Sequence, residues 1–397
     1  MDRPEGFISH GQESKVCKLM RSIYSLKQAS RSWNIHFDEA IKSFGFSQNM
    51  DEPCVYKKVS GSTITFLVLY VDDILLIGND VGAMSSIKVW LSSHFAMNDL
   101  GEASNILGIK LFRDRKKRLL GLSQVNYIDK ILARFSMQDS KKGFSPFRHG
   151  VHLSNQMCPK TQEEREKMRN CPYASAVGSL MYAMLCTRPN ICYVVSIVSR
   201  YQSNPSSEHW TVVKHIPKYL NRTKHYFLMF GGEDLTVQGD TDSDFQFDID
   251  DRKSISGFVF TLSKGAISWR SCKQDTTANS TSEAEYIAAS EAAKEVMWIH
   301  KFIQELEVVP SIESPITIYC DNSGAIANAV EPRAHQRTKH IARKYRLIRD
   351  IIQRGDVAIT KIASANNVAN PLIKALSQKV FEKHLEAMGI KYKYDWF

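Results

Sequence analysis

Residues 64–77 read Ile64-Thr65-Phe66-Leu67-Val68-Leu69-Tyr70-Val71-Asp72-Asp73-Ile74-Leu75-Leu76-Ile77. Two strand-forming apolar runs meet at a tight turn, the pattern of a β-hairpin with adjacent carboxylates at its tip. Like charges at that spacing resist joint ionisation unless a cation neutralises them. Paired divalent ions are the usual way such acids act on phosphodiesters. Asp-Asp is also ordinary turn chemistry. Arms this apolar should be buried, however, and solvent alone then explains the acids poorly.

Working outward, Met1-Asp2-Arg3-Pro4-Glu5-Gly6-Phe7 and Ser22-Ile23-Tyr24-Ser25-Leu26-Lys27-Gln28-Ala29-Ser30-Arg31-Ser32-Trp33 precede the hairpin. Leu107-Gly108-Ile109-Lys110, Leu122-Ser123-Gln124-Val125-Asn126-Tyr127-Ile128, Ala176-Val177-Gly178-Ser179-Leu180-Met181-Tyr182 and Thr187-Arg188-Pro189 follow it. In that order these segments resemble the reverse transcriptase of copia-type LTR retrotransposons, and the likeness covers nearly the whole chain. The resemblance implies a C-terminal stretch of a Pol polyprotein. It assigns residues 1–140 to a partial reverse-transcriptase palm and thumb without fingers, and residues 141–234 to a helical connection. It also implies that Asp72 and Asp73 are polymerase metal ligands and that Lys27, Gln28 and Arg31 contact the template.

Composition agrees with this reading. At 397 residues the chain can build two or three domains with real cores. Its 43% hydrophobic and 24% charged residues are those of a folded polypeptide. A net charge of +10 points to a polyanionic partner. The eight cysteines form no Cys-x-x-Cys pair, so reduced core thiols are expected. Without a signal-like apolar run or a membrane-length stretch, the expected setting is intracellular, cytoplasmic or nuclear, with no membrane partner.

Residues 173–203 and 210–220 read as helical, and Pro217 should kink or end the second pattern. From about Leu235 the pattern changes. Residues 237–245, 257–262 and 266–271 read as strands, 282–306 as a long helix and 316–320 as a strand. A helix over 338–353, a strand over 357–362 and a final helix complete a βββαβαβα order. Thr241-Asp242-Ser243-Asp244, Asp250-Asp251-Arg252-Lys253-Ser254, Glu283-Ala284-Glu285-Tyr286, Tyr319-Cys320-Asp321-Asn322 and Arg337-Thr338-Lys339-His340-Ile341 resemble the copia-type RNase H domain, here over 235–397. The expected fold class is therefore multidomain α+β and α/β: a partial palm with its hairpin, a helical thumb and connection, then an RNase H-like domain.

Nuclease chemistry of that class needs carboxylates converging on two metal ions, Mg²⁺ or Mn²⁺. Asp242 and Asp321 fall in or at the ends of strands, and the long helix offers Glu283 or Glu285. The apolar stripe Tyr286, Ala289, Ala293, Val296, Ile299, Ile303, Leu306 must face the sheet. At roughly 100° per residue Glu285 points into that stripe and Glu283 well away from it. A buried glutamate is costly unless paired or metal-bound, which makes Glu285 the ligand candidate. Glu283 reads as a first-turn capping residue opposite Ser280. The family's motif places its ligand at the same glutamate as this geometry. Asp244, Asp248, Asp250 and Asp251 read as a solvated acidic loop. Arg337, Lys339, Arg343, Lys344, Arg346, Arg349 and Arg354 crowd one helix, interrupted only by Asp350 and backed by Ile341, Tyr345, Ile348 and Ile352. That face is read as a phosphate-backbone contact, with His340 in a structural or phosphate-contacting role.

Two departures from the family pattern bear on activity. The chain starts inside the Met-x-x-Pro-Glu-Gly-Phe motif, downstream of the family's first palm aspartate, so a truncated fragment with an inactive polymerase half is expected. The family's last RNase H acid lies in Ala-Asp-x-Leu-Thr-Lys, which here reads Ala369-Asn370-Pro371-Leu372-Ile373-Lys374. Asn370 at this degenerate fourth position should hold the metal ions incompletely, and Pro371 should reset the local helix start. Ser25 also stands where the family usually has Gly. Two function classes follow. One is a reverse transcriptase/RNase H remnant with weak metal-dependent cleavage of RNA in RNA–DNA hybrids. The other is an inert module that binds RNA template/primer or hybrid, alone or with other Pol-derived chains.

Overall fold

The computed structural model describes residues 6–392 apart from 7–9, 12, 13, 17, 21, 22, 24, 25, 233, 310, 311, 313, 314 and 332–346. The chain divides into two compact units at Gly101.

The first unit runs helix Ala29–Ser43 (α1), strands Ser47–Gln48 (β1), Val55–Ser60 (β2), Thr63–Tyr70 (β3) and Asp73–Gly78 (β4), then helix Val81–His94 (α2). The strands form an antiparallel meander. Alternation along β3 puts Leu67 and Leu69 into a core with Phe37 and Ile41 of α1 and Ile87 and Leu91 of α2. Tyr70 pairs with Asp73, so Val71 and Asp72 make the reversal. Val71 has φ of 53°. A β-branched residue holds that left-handed geometry at a cost on the order of 1–3 kcal/mol. The arms, expected to be buried, are so on one face only, at Thr65, Leu67 and Leu69. The tip is exposed: Tyr70 is 57% and Val71 64% exposed, with Asp72 and Asp73 exposed beside them. With a side-chain period of two, only one face of the hairpin meets the core.

The second unit opens with strands Asn105–Ile106 (β5), Ile109–Asp114 (β6) and Leu119–Ser123 (β7). Helices Val125–Arg134 (α3), Gln162–Arg169 (α4), Tyr173–Cys186 (α5), Cys192–Ser199 (α6) and Ser207–Thr223 (α7) follow, then strand Tyr226–Gly231 (β8). Next come strands Gln238–Ser243 (β9), Ile255–Leu262 (β10) and Gly265–Lys273 (β11), helix Thr281–Leu306 (α8), strand Ile316–Cys320 (β12) and helix Ser323–Val330 (α9). Helix Leu347–Arg354 (α10), strand Val357–Lys361 (β13), helix Gln378–Ala387 (α11) and strand Ile390–Tyr392 (β14) end it. One sheet has the order β14-β8-β7-β6-β5 and the other β11-β10-β9-β12-β13. Because β7 pairs with β8, which in turn pairs with β14, residues on both sides of position 140 share one sheet. The compact division therefore falls earlier than the boundary read from sequence, and residues 141–234 pack within the second unit.

Helix α7 continues through Pro217 to Thr223 instead of ending there. Val212, Val213, Ile216, Tyr219 and Leu220 are buried around the proline. At roughly 1.5–3 kcal/mol per buried large apolar side chain, their burial outweighs one lost helical hydrogen bond.

Beside this helix, Arg188 is only 2% exposed. It donates to the Thr223 carbonyl at 3.0 Å, to Thr223 Oγ1, and through Nε to Asn190 Oδ1 at 3.4 Å. None of these partners is charged, and a buried cation without a counter-charge is costly. Asn190→Asp should therefore stabilise the fold by about 1–3 kcal/mol, a rise of several degrees in the melting midpoint. Thermal denaturation of the two forms checks this; an unchanged midpoint would mean that desolvating the new carboxylate cancels its attraction.

The second sheet separates two cores. Ile255 and Val259 of β10 pack with Leu372 and Ile373 on one face. Phe258 and Phe260 pack with Ala284, Ala289, Ala293 and Val296 of α8 on the other. Gly257, opposite Asp242 in the β9/β10 register, is needed for close approach. A Cβ there would sit 2.9 Å from Leu372 Cβ and 2.8 Å from Ile373 Cγ2. The segment around Asn370 can lie against the sheet beside Asp242 only because that atom is missing.

Candidate active site

β9 and β12 are parallel neighbours, so acids at their C-terminal ends share one edge of the sheet. Asp242 lies near the end of β9, and Asp321 directly follows β12. Glu285 comes from the second turn of α8. Gly324 lets the β12–α9 turn press on the start of that helix, since a Cβ would stand 2.6 Å from Ser282 Oγ. Ser282 Oγ donates to Asn322 Oδ1 at 3.1 Å, fixing Asp321 beside Glu285.

Asp242 is 2% and Glu285 6% exposed. Glu285 Oε1 accepts from the Ser243 N–H at 3.2 Å. Asp242 Oδ2 and Glu285 Oε2 are buried without a hydrogen-bond partner. One oxygen or sulfur each from Glu285, Cys320 and Asp321 lie within 4.8 Å of one another, a metal-ligand grouping among the described residues. Lys374 Nζ stands 3.8 Å from Asp242 Oδ2.

Burial, reinforced by the Asp242 and Asp321 charges, pushes Glu285 up to about 9. Burial also raises Asp242, to about 6, with the Lys374 ammonium opposing and Asp321 assisting. At neutral pH the cluster thus keeps a proton on Glu285, because Lys374 favours the charged form of Asp242. Carboxylates crowded this way, with orphaned oxygens turned inward, fit a divalent cation that would replace that proton.

Residues 1–149 match the family model described as reverse transcriptase (RNA-dependent DNA polymerase). Over 391 residues, 98% of the chain, the sequence is 45% identical to the retrovirus-related Pol polyprotein from transposon TNT 1-94 of Nicotiana tabacum. It is 33% identical over the same share to the corresponding polyprotein from transposon RE1 of Arabidopsis thaliana. The chain belongs to the copia-type retrotransposon Pol polyproteins. This Pol chain spans 29% and 26% of the length of those two relatives. An RNase H1 isolated from compost is similar over 38% of the chain at 16% identity and a TM-score of 0.27, too slight a likeness to bear on the assignment.

Within the Pol chain, Asn370 lies on the Asp242 side of the sheet, 5% exposed. Its amide donates to the Asn367 carbonyl at 3.1 Å and to the Ser364 carbonyl, while Oδ1 is buried without a partner. Asn370–Leu372 is a 3₁₀ turn, and the regular helix starts only at Gln378. Glu283 is a helix-start residue: its N–H donates to Ser280 Oγ at 3.2 Å and its carboxylate accepts from the Asn279 N–H at 3.0 Å.

The acidic loop departs from the solvated reading at Asp248, which is 8% exposed. Asp248 pairs with Arg200 at 2.8 Å and Lys273 at 3.2 Å. Asp244 is also drawn in, accepting from the Ile255 N–H at 2.6 Å, and burial raises it to about 7. Asp250 accepts from the Asn155 N–H at 2.9 Å but stays exposed, as does Asp251. The ion partners, Arg200 just after α6 and Lys273 in β11, are far away in sequence, so the loop's composition could not show them.

Asp240, Cys320 and Lys374 were not singled out in the sequence. Asp240 Oδ1 accepts from the Val368 N–H at 3.1 Å, and burial pushes Asp240 up to about 7. The i, i+2, i+4 spacing of Asp240, Asp242 and Asp244 was the available signal, three acids on one face of a strand.

In the first unit Asp72 and Asp73 belong to no metal-ligand grouping found among the described residues. Lys27, Gln28 and Arg31 are exposed where α1 begins. Arg337, Lys339, His340, Arg343, Lys344 and Arg346 lie outside the described residues. Of the remaining basic positions, Arg349 donates to the Asn328 carbonyl at 2.8 Å and Arg354 pairs with Asp356 at 3.0 Å. Arg349 thus reaches back to α9, while the Arg354 side chain stays 56% exposed.

Proposed function

We propose that the second unit carries a divalent-cation-dependent ribonuclease H site that cleaves the RNA strand of an RNA–DNA hybrid, in a Pol chain whose first unit derives from a reverse transcriptase. The supporting observation is that Glu285 lies beside Asp321 and within reach of the Asp242 charge, with orphaned buried oxygens on Asp242 and Glu285. Asp242, Glu285 and Asp321 would hold Mg²⁺ or Mn²⁺, which supplies charge neutralisation and an activated water at the scissile phosphate. Glu285 must give up its proton for that site to form. Lys374, 46% exposed at its side chain, neutralises Asp242 and stands ready for a phosphate oxygen. Asp72 and Asp73 at the exposed hairpin tip are proposed as polymerase-type ligands, with Lys27, Gln28 and Arg31 toward the template and Arg337, Lys339, His340, Arg343, Lys344 and Arg346 toward the phosphate backbone. Among the described residues no helix is long and apolar enough to cross a membrane.

Asn370 favours a second reading, a binding module without turnover, because its amide serves the backbone as a structural group. Incubating the purified chain with an RNA–DNA hybrid in Mg²⁺ and in Mn²⁺, beside duplex DNA, separates the two. Metal-dependent loss of the RNA strand is the expected result; retention of hybrid without any cleavage in either ion would leave only the binding module.

Asn370→Asp should raise cleavage while lowering stability by about 1–3 kcal/mol, because the Ser364 and Asn367 carbonyls lose their donor. Rate and melting midpoint measured on one preparation check both halves. An Asn370→Asp chain that is destabilised but no faster would remove position 370 from the metal site.

A further inference from the structure

We propose that Glu285, Cys320 and Asp321 form a site for a thiophilic divalent cation, Zn²⁺ or Cd²⁺, that overlaps the carboxylate site and closes it to Mg²⁺ and Mn²⁺. The overlap rests on the ribonuclease reading; the binding does not. Alternation along β12 places Ile316, Ile318 and Cys320 on the α8 face, the side from which Glu285 enters. The Cys320 sulfur makes only a weak contact, 3.9 Å to the Asn322 carbonyl. Glu285 Oε2, buried and unpartnered, completes the approach. The three ligand atoms lie within 4.8 Å of one another.

Oxygen-only sites suit hard ions, while a sulfur donor selects softer ones. With Zn–S near 2.3 Å and Zn–O near 2.0–2.2 Å, a tetrahedral ion needs the ligands to close by roughly 1 Å, within reach of side-chain rotation. Asp242 or water supplies the fourth position. On binding, the Cys320 S–H bond and the Glu285 carboxyl O–H bond break, both protons pass to solvent, and sulfur–metal and carboxylate–metal bonds form without change of oxidation state. An ion so held occupies the two carboxylates that a hard ion also needs.

Titrating the full chain with Cd²⁺ and following the ultraviolet cadmium–thiolate charge-transfer band tests this. One tight equivalent is expected, absent in Cys320→Ser and weakened by about 10-fold or more in Glu285→Gln. Cys320→Ala replaces the serine form if melting curves show that serine unfolds the chain. A band unchanged in the Cys320 variant would place the ion on other thiols, and no band would leave no site; either overturns the proposal. Excess Mg²⁺ should shift the Cd²⁺ titration to higher concentration, and an unmoved titration would overturn the overlap. None of these readouts depends on hybrid cleavage, so failure of the ribonuclease reading is seen separately.

Discussion

Asp242→Asn is expected to lower Mg²⁺-dependent cleavage of the RNA strand on the order of 10²-fold or more, while the cation-free protein melts higher than wild type. The first effect follows from the proposed function, in which Asp242 is a charged ligand of the divalent cation. The second follows from burial. Asp242 is 2% exposed with Oδ2 unpartnered, and burial holds its carboxyl up to about 6. Ionised at neutral pH, it is a desolvated charge that Asp321 also repels, and together these outweigh the attraction of Lys374 and destabilise the cation-free fold. A neutral amide of the same shape removes that repulsion, and the side chain of Lys374, 46% exposed, loses little by facing water. A merely structural aspartate behaves oppositely, losing activity and melting temperature together. Hybrid cleavage and thermal denaturation on the same preparations distinguish the outcomes, and full cleavage in the asparagine form would remove Asp242 from the site.

Stability of the cation-free chain should fall as pH rises toward 9, and divalent cation should flatten that fall. Glu285 has a folded value of about 9 against an ordinary 4.5, and burial holds Asp240 and Asp244 near 7 against 3.8. Each raised acid binds more proton folded than unfolded between its two values, so stability declines with pH across that interval. Below the ordinary carboxylate range the penalty is absent; above the folded value it is complete. His209, His215 and His384, lowered by burial, act in the opposite sense at acid pH. They are neutral in both states above roughly pH 7, which leaves Glu285 as the main contributor from about pH 7 until, toward pH 9, the thiols that burial raises, Cys192 and Cys320 among them, add to the fall. The fall across that range amounts to a few kcal/mol, since each tenfold difference in proton affinity is worth about 1.4 kcal/mol. Melting curves of wild type and Glu285→Gln across this range, with and without Ca²⁺ as a non-catalytic ion, give the comparison. A wild-type slope no steeper than that of the glutamine form would place the proton elsewhere.

Local periodicity settled much of the molecule. The stripe from Tyr286 to Leu306 is enough to orient the long helix, because helical geometry fixes which residues share a face. It therefore separates Glu285, now found buried, from Glu283 at the helix start. Alternation and turn chemistry likewise locate the strands near 238–243, 255–262, 265–273 and 316–320 to within a few residues, including the Ser263-Lys264 reversal. Tertiary structure decided what depends on partners distant in sequence. Pro217 stays inside a helix because a surrounding core compensates for it. Asp248 is buried because Arg200 and Lys273 arrive from other elements. Lys374 meets Asp242 only because Gly257 lets the Asn370 turn lie on the sheet, and Cys320 joins the carboxylates only because Gly324 draws β12 against α8. The sequence alone determined the family, much of the element order and the acids that could serve, since these are properties of neighbouring residues; it did not show helix α9 or the closing strand β14. Which oxygens are left without a partner, which acids keep a proton and what stands beside them were set by the fold, because burial and charge proximity exist only once distant segments pack together.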